Sequence, residues 1–248
     1  MTRVGVTGNG PLASAHIEAL VSLGCEVVHG PVEDMLHKVD AVVIASDAGE
    51  RFHHTALALE HDLDVLLEQP VAPTVENARM LERIASLRPS EPVVQVSQPE
   101  AFDPALERLA EHEPVTIDLR RRGEAPLEAD VHTLLSLARS QVLRLHVCGR
   151  PRLTVATLVF ESGLVGTLSS GVIGPVSACT VRAESEEASI VVDLTPAFVA
   201  QAASFLEAIR HRTRPATSLR NAIACIDVAA GIRECLAVQA AASGSGVL

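Results

Sequence analysis

The feature that most restricts the fold is the rhythm of the first hundred or so residues, where short apolar runs alternate with stretches of helical periodicity. RVGVTG reads as a strand closing on glycine, and PLASAHIEALVSLG follows with Leu12, Ile17, Leu20 and Leu23 at helical spacing before Gly24 stops it. EVVHG and DAVVIAS are two further strands, RFHHTALALE is helical and DVLLEQ is a fourth strand. TVENARMLERIASL is an amphipathic helix with Thr74 as its N-cap, and PVVQVSQ is a fifth strand. Strands alternating with helices predict parallel βαβ units and an α/β, doubly wound sheet. PVEDMLHKV, between the second and third strands, is too short for a full crossover helix, so one crossover is abbreviated.

The second half has a different pattern. FDPALERLAEHE is a helix, TIDLRRR a strand and LEADVHTLLSLA a helix. VLRLHVCG, RLTVATLVFE, GLVGTLSSGV, SACTVRAE and ASIVVDL then alternate in polarity and are joined by short turns such as ESG, which predicts an antiparallel meander. Two helices, at about 197 to 211 and about 218 to 239, lead to a flexible tail, AASGSGVL. The expected organisation is a parallel domain over 1–100 and, over 101–248, an α+β domain with a largely antiparallel open sheet.

With 248 residues, 48% of them hydrophobic, the chain can bury a sizeable core. MTRVGVTGNG is already strand and turn rather than a targeting segment, and no apolar stretch approaches the roughly 18 residues that span a bilayer, so a cytoplasmic protein with no membrane contact is expected. A net charge of −11 argues against nucleic acid, which demands a concentrated basic face. Arg120, Arg121 and Arg122 form a short basic cluster that reads either as an anion grip or as a solvated strand end. The five cysteines have neither CxxC nor Cys/His ligand spacing, so buried thiols are expected rather than disulfides or a metal site. Lys38 is the one lysine; every other basic residue apart from histidine is arginine.

Two motifs carry chemistry. Gly8, Gly10 and Ala13 in TGNGPLA form G-x-G-x-x-A between a strand and a helix, where missing side chains let a pyrophosphate approach backbone N–H groups and the helix dipole. A tight turn without ligand is the alternative. The second strand ends in His29 and Gly30, with neither an acid for a ribose diol nor an arginine for a 2′-phosphate; Glu33 or Asp34 would have to reach round, and the choice between NAD and NADP stays open. In LEADVHTLLSLA, Glu128 and His132 are spaced i, i+4 on one face. They read as a general acid/base pair, in which the carboxylate orients the imidazole and raises its pKa, or as a solvent-exposed helix pair.

DAVVIAS, VLLEQPVAPTVENARMLERIA, EADVHTLLSL, TLVFESGLVGTL and FLEAIRHRTRPATSLRNAIACIDVA, in that order, resemble the Gfo/Idh/MocA family of NAD(P)-dependent oxidoreductases. The resemblance implies a Rossmann domain followed by an open-sheet domain used for homo-oligomerisation as dimer or tetramer, NAD or NADP as cofactor, and a sugar, cyclitol or similar small molecule as substrate. It implies a cis bond before Pro70, cofactor contacts at Ser46, at His53 or His54 and at Glu68, and a proton-exchanging histidine at His132 with Glu128 in place of the family aspartate; Gln98, which follows the fifth strand, is expected at the nicotinamide edge from that position. The family motif E-K-P stands here as Glu68, Gln69, Pro70, so an uncharged amide occupies the position of the lysine. Lys38 precedes DAVVIAS, away from the C-terminal strand edge where ligands gather, and is no substitute. Three functions follow: an oxidoreductase in which His132 moves the proton and Gln69 positions substrate; a non-catalytic member that binds a nucleotide, a sugar-like ligand or a partner; and an enzyme using His132 for elimination or hydrolysis.

Overall fold

The computed structural model describes residues 2–123, 125–150, 152–172 and 178–244. The chain divides into two compact units, the first comprising Met1–Phe102 and Pro196–Ala224, the second Asp103–Thr195 and Cys225–Leu248. The chain passes into the second unit after Phe102 and then returns: residues 196–224 complete the first unit.

In the first unit, β1 (Arg3–Thr7), α1 (Pro11–Ser22), β2 (Glu26–His29), β3 (Ala41–Ile44), α2 (Ala48–Glu60), β4 (Asp64–Leu67), α3 (Val75–Ser86) and β5 (Val94–Val96) follow the predicted rhythm. The strands form one sheet in the order β2-β1-β3-β4-β5, parallel throughout. All four residues of β3 and of β4 are buried, as expected of parallel strands covered on both faces. Thr74 caps α3, its side chain accepting from the Asn77 backbone N–H. Between β2 and β3 the crossover is a single 3-10 turn, Val32–Asp34. Val32 and Met35 are fully buried, and Gly5, lacking a side chain, makes room for the Met35 sulfur, which would lie 2.8 Å from a Cβ there.

After the second unit, labelled below, comes α6 (Phe198–His211), whose Ala202, Phe205 and Ala208 join Val4, Val6, Val43, Leu66, Ala13 and Leu20 in one core cluster. Arg212, at the C-cap of α6, grips both Asp64 carboxylate oxygens at 2.8 and 2.9 Å and donates to the Ser90 and Glu91 carbonyls, which fastens the returning helix to the start of β4.

The second unit holds α4 (Pro104–Glu111), β6 (Thr116–Arg122), α5 (Leu127–Ala138), β7 (Val142–Arg150), β8 (Leu153–Phe160), β9 (Val165–Gly171), β10 (Ala178–Glu184) and β11 (Ser189–Leu194). Its sheet runs β11-β10-β6-β9-β8-β7. The expected continuous meander is therefore corrected: β6 is inserted between β9 and β10, pairing parallel with β9 and antiparallel with β10. Alternating polarity reports which face a strand buries, and says nothing about which strand lies beside it. The final helix, α7 (Leu219–Gly244), runs farther than expected and takes up the first half of the predicted tail; residues 245–248 lie outside the described residues.

Strand pleating also splits the arginine cluster. Arg121 turns inward, its Nε 2.6 Å from Asp130, which also accepts from Ser170 Oγ at 2.7 Å; Arg120 turns outward to Asp118. Successive side chains on β6 point to opposite faces, so the three guanidinium groups do not converge on one anion.

Candidate nucleotide site and buried amide cluster

The first site is built on the turn after β1. Gly8 has φ 104°, and a Cβ there would lie 2.2 Å from the Ala45 carbonyl oxygen, so both the dihedral and the close approach of the loop after β3 require glycine. Gly10 has φ 131° and is the N-cap of α1, with Pro11 at the first helical position and no side chain capping the helix. A Cβ at Gly10 would meet nothing within 4 Å, so this side of the helix terminus is open. The first N–H groups of a helix lack partners within it, and here no side chain takes them up.

Gly8, Glu33, Ser46, Asp47, Glu50 and His54 are among the residues lining a cavity of about 370 Å³ at the C-terminal ends of β1, β2 and β3. Of the two histidines on α2, His54 lines it, with Nδ1 2.9 Å from Ser46 Oγ, while His53 is exposed. Glu33, and not Asp34, is the acid that reaches the cavity beyond β2. His29 donates from Nε2 to the Gly8 carbonyl at 2.8 Å. Ala13 is buried in the core instead, where its small side chain lets α1 sit close to the sheet. Among the described residues no arginine or lysine lines the cavity, and three carboxylates do. The residues present fit the diphosphate and ribose of a dinucleotide: an uncapped helix terminus, open space at Gly10 and a carboxylate beyond β2.

The ends of β4 and β5 form the second cluster. The Gln69–Pro70 bond is cis. Glu68 is buried, with Oε1 2.6 Å from Nε2 of the fully buried His16, whose ring meets Phe198 edge-on at 5.2 Å. Burial alone would raise the Glu68 carboxyl, but the hydrogen bond and charge of His16, a hydrogen bond from Ser97 and the charge of Arg51 together hold it below the ordinary carboxylate range. Arg51 bonds the Ser46 carbonyl at 2.7 Å and the Pro70 carbonyl at 2.9 Å, tying the loop after β3 to the loop after β4. The sequence reading did not single out this residue; an arginine one turn into a helix carries no distinctive signal.

Gln69 is buried, and its Nε2 donates to Gln98 Oε1 at 2.6 Å and to the Ser97 carbonyl at 3.1 Å. Gln201, on α6, accepts from the Gln98 backbone N–H at 2.6 Å and donates to Ser97 Oγ at 3.1 Å. Gln95 donates to the Gln201 carbonyl at 3.2 Å. Gln69 and Gln98, expected near the cofactor edge for separate reasons, are thus direct partners. Gln201 and Ser97, which complete the cluster, were missed, because no local pattern links them.

In the second unit, Glu128 and His132 are 3% and 4% exposed, which removes the solvent-exposed helix pair. They are not bonded to each other, and this corrects the expected orientation of His132 by Glu128. Glu128 Oε1 takes a hydrogen bond of 2.7 Å from Arg233 on α7, and Oε2 is buried without a partner among the described residues. His132 Nδ1 lies 3.3 Å from Ser136 Oγ, one turn along α5. Burial pushes the His132 pKa down to about 4, so the ring is neutral at pH 7 and can accept a proton. Among the described residues no cluster of histidine, cysteine and carboxylate side chains could hold a metal ion, and no helix is long and apolar enough to cross a membrane.

Residues 2–96 match the model of an oxidoreductase family with an NAD-binding Rossmann fold. The whole fold is similar to UDP-N-acetylglucosamine 3-dehydrogenase from Acidithiobacillus ferrooxidans, with a TM-score of 0.84 at 17% identity over 95% of this chain and 97% of that one. It is similar to scyllo-inositol dehydrogenase from Lactobacillus casei with bound NAD(H) and scyllo-inositol, with a TM-score of 0.82 at 13% identity over 96% and 98%. A dehydrogenase from Chromobacterium violaceum gives 0.83 at 15% identity over 98% and 97%. No curated protein matches the sequence.

Proposed function

We propose that the protein is an NAD(H)-dependent oxidoreductase that interconverts CHOH and carbonyl groups on a sugar, cyclitol or similar small molecule. The observation that carries this reading is the cavity at the ends of β1, β2 and β3, lying within the segment that matches the NAD-binding family model. Gly8, Gly10 and the α1 terminus would hold the diphosphate, with Ser46 and His54 along the same wall. Glu33 would accept from the ribose hydroxyls. Three lining carboxylates disfavour a 2′-phosphate, which supports NAD over NADP. When bound, the nicotinamide supplies the hydride acceptor or donor.

His132 is the proposed proton-exchanging group. It is neutral and buried, and Ser136 Oγ can donate to Nδ1 or accept from it, so the hydroxyl supports either tautomer of the ring. Glu128 serves this reading by anchoring α5 through Arg233 rather than by touching the imidazole. The sheet of the second unit is the proposed homo-oligomer surface, which sedimentation velocity tests.

Titration with NAD, NADH, NADP and NADPH, followed by nicotinamide fluorescence, tests the cofactor; with no Trp or Tyr in the chain the protein background is low. Binding of NADH with weaker binding of NADPH is expected, and no binding of any of the four at millimolar concentration sinks the reading. A second reading, ligand binding without turnover, is favoured by the uncharged amide of Gln69; ligand affinity unaltered in His132→Ala together with no turnover would establish it.

A further inference from the structure

The lysine of the E-K-P motif can only donate hydrogen bonds, whereas the amide of Gln69 carries both donors and an acceptor. An amide nitrogen has two N–H groups, and both are committed, one to the Ser97 carbonyl and one to Gln98 Oε1. The orientation of the amide is dictated by the Ser97 carbonyl, which can only accept: turning the amide over would set two acceptor oxygens against each other. Gln98 is itself fixed through its backbone N–H on Gln201 Oε1, and Gln201 through Ser97 Oγ, so the cluster holds Gln69 from behind. Among the described residues the Gln69 amide oxygen accepts no hydrogen bond.

We propose that residue 69 presents an acceptor, the Oε1 of Gln69, to the ligand, so that this position selects a hydroxyl-bearing polyol over the corresponding carbonyl compound. A hydroxyl can donate to Oε1. A ketone oxygen has no proton to give and would face an unsatisfied lone pair. This rests on the oxidoreductase reading and sharpens it: the alcohol is the better-bound member of the substrate pair, and polarisation of a carbonyl by residue 69 plays no part.

Two measurements test it. In Gln69→Glu a carboxylate would face the Ser97 carbonyl, so the new group keeps its proton, its folded pKa is raised, and stability is lost as pH rises through that value. The melting temperature of the variant should match wild type within about 2 °C at pH 5 and fall below it by about 5 °C or more at pH 8. A difference that does not change with pH means the amide nitrogen does not face Ser97, and overturns the proposal. The second measurement titrates scyllo-inositol and its monoketone into the wild-type protein without cofactor, where no hydride can be transferred, and reads binding by isothermal titration calorimetry. At least tenfold tighter binding of the polyol is expected. A ketone held equally well, or binding of neither probe, overturns the selectivity. Failure of NADH itself to bind would instead sink the cofactor reading, and the pH dependence of Gln69→Glu would still report the orientation of the amide.

Discussion

His16 and Glu68 are joined by a 2.6 Å hydrogen bond in the interior of the parallel-sheet unit, with the histidine fully buried and the carboxylate 6% exposed. The imidazole is the largest support for this carboxylate, and without it only the Ser97 hydrogen bond and the charge of Arg51 offset the burial of Glu68. His16→Leu should therefore destabilise the protein by about 3 to 5 kcal/mol at pH 7. The carboxyl left behind is raised by burial, so the deficit in urea denaturation should shrink between pH 7 and pH 5 as it takes up a proton. A deficit of equal size at both pH values would show that packing against Phe198, rather than the hydrogen bond to Glu68, is what was lost.

His132 sets an acid limit. Its pKa is about 4 in the folded protein, against an unfolded value near 6.5, so the unfolded chain binds the proton more readily throughout that window. The contribution is fully present above about pH 6.5 and is lost progressively as pH falls towards 4, amounting to about 3 kcal/mol. His132→Gln should flatten the wild-type loss of stability between pH 7 and pH 4. In activity assays His132→Ala should lower kcat by about 10²- to 10⁴-fold if the ring moves the proton.

Gln69→Lys has a specific structural expectation. An ammonium carries three donors, so lysine can keep the bonds to Ser97 and Gln98 and still have one for substrate. Dehydrogenase turnover, followed by NADH absorbance, should rise at least about tenfold. Unchanged turnover with NADH still bound would remove residue 69 from the reacting centre.

Glu33→Arg should invert the cofactor preference. Wild type is expected to bind NADH more tightly than NADPH, and the variant should bring NADPH binding to parity or better in the fluorescence titration. Retention of the full NADH preference would place the ribose away from Glu33.

How far the sequence carries depends on the range of the interaction. The parallel sheet was legible because each βαβ unit is local: Leu12, Ile17 and Leu20 reveal α1 without reference to anything distant. The abbreviated crossover was legible for the same reason. The position of β6 was not, since its neighbours β9 and β10 come only after α5, β7 and β8 along the chain. Glu128 and His132 share a helix and a face, as their spacing requires, yet the partner of Glu128 is Arg233, over a hundred residues away. The amide cluster was hidden in a similar way. Gln69, Gln98 and Gln201 each look like an ordinary polar residue at the end or on the face of an apolar element, and only the adjacency of β4 and β5 and the return of α6 make them one network.

The return of the chain through α6 bears on how the protein is made. A ribosome that has released residues 1–102 has supplied every strand of the parallel sheet, but not Ala202, Phe205 or Ala208, which cover one of its faces. That face, with Val4, Val6, Val43 and Leu66 on it, stays open to water until the second unit has been synthesised. The first domain in sequence is thus the last to be finished, and a nascent chain of this protein exposes a sticky sheet for about ninety residues of translation, the period in which a chaperone has most to do.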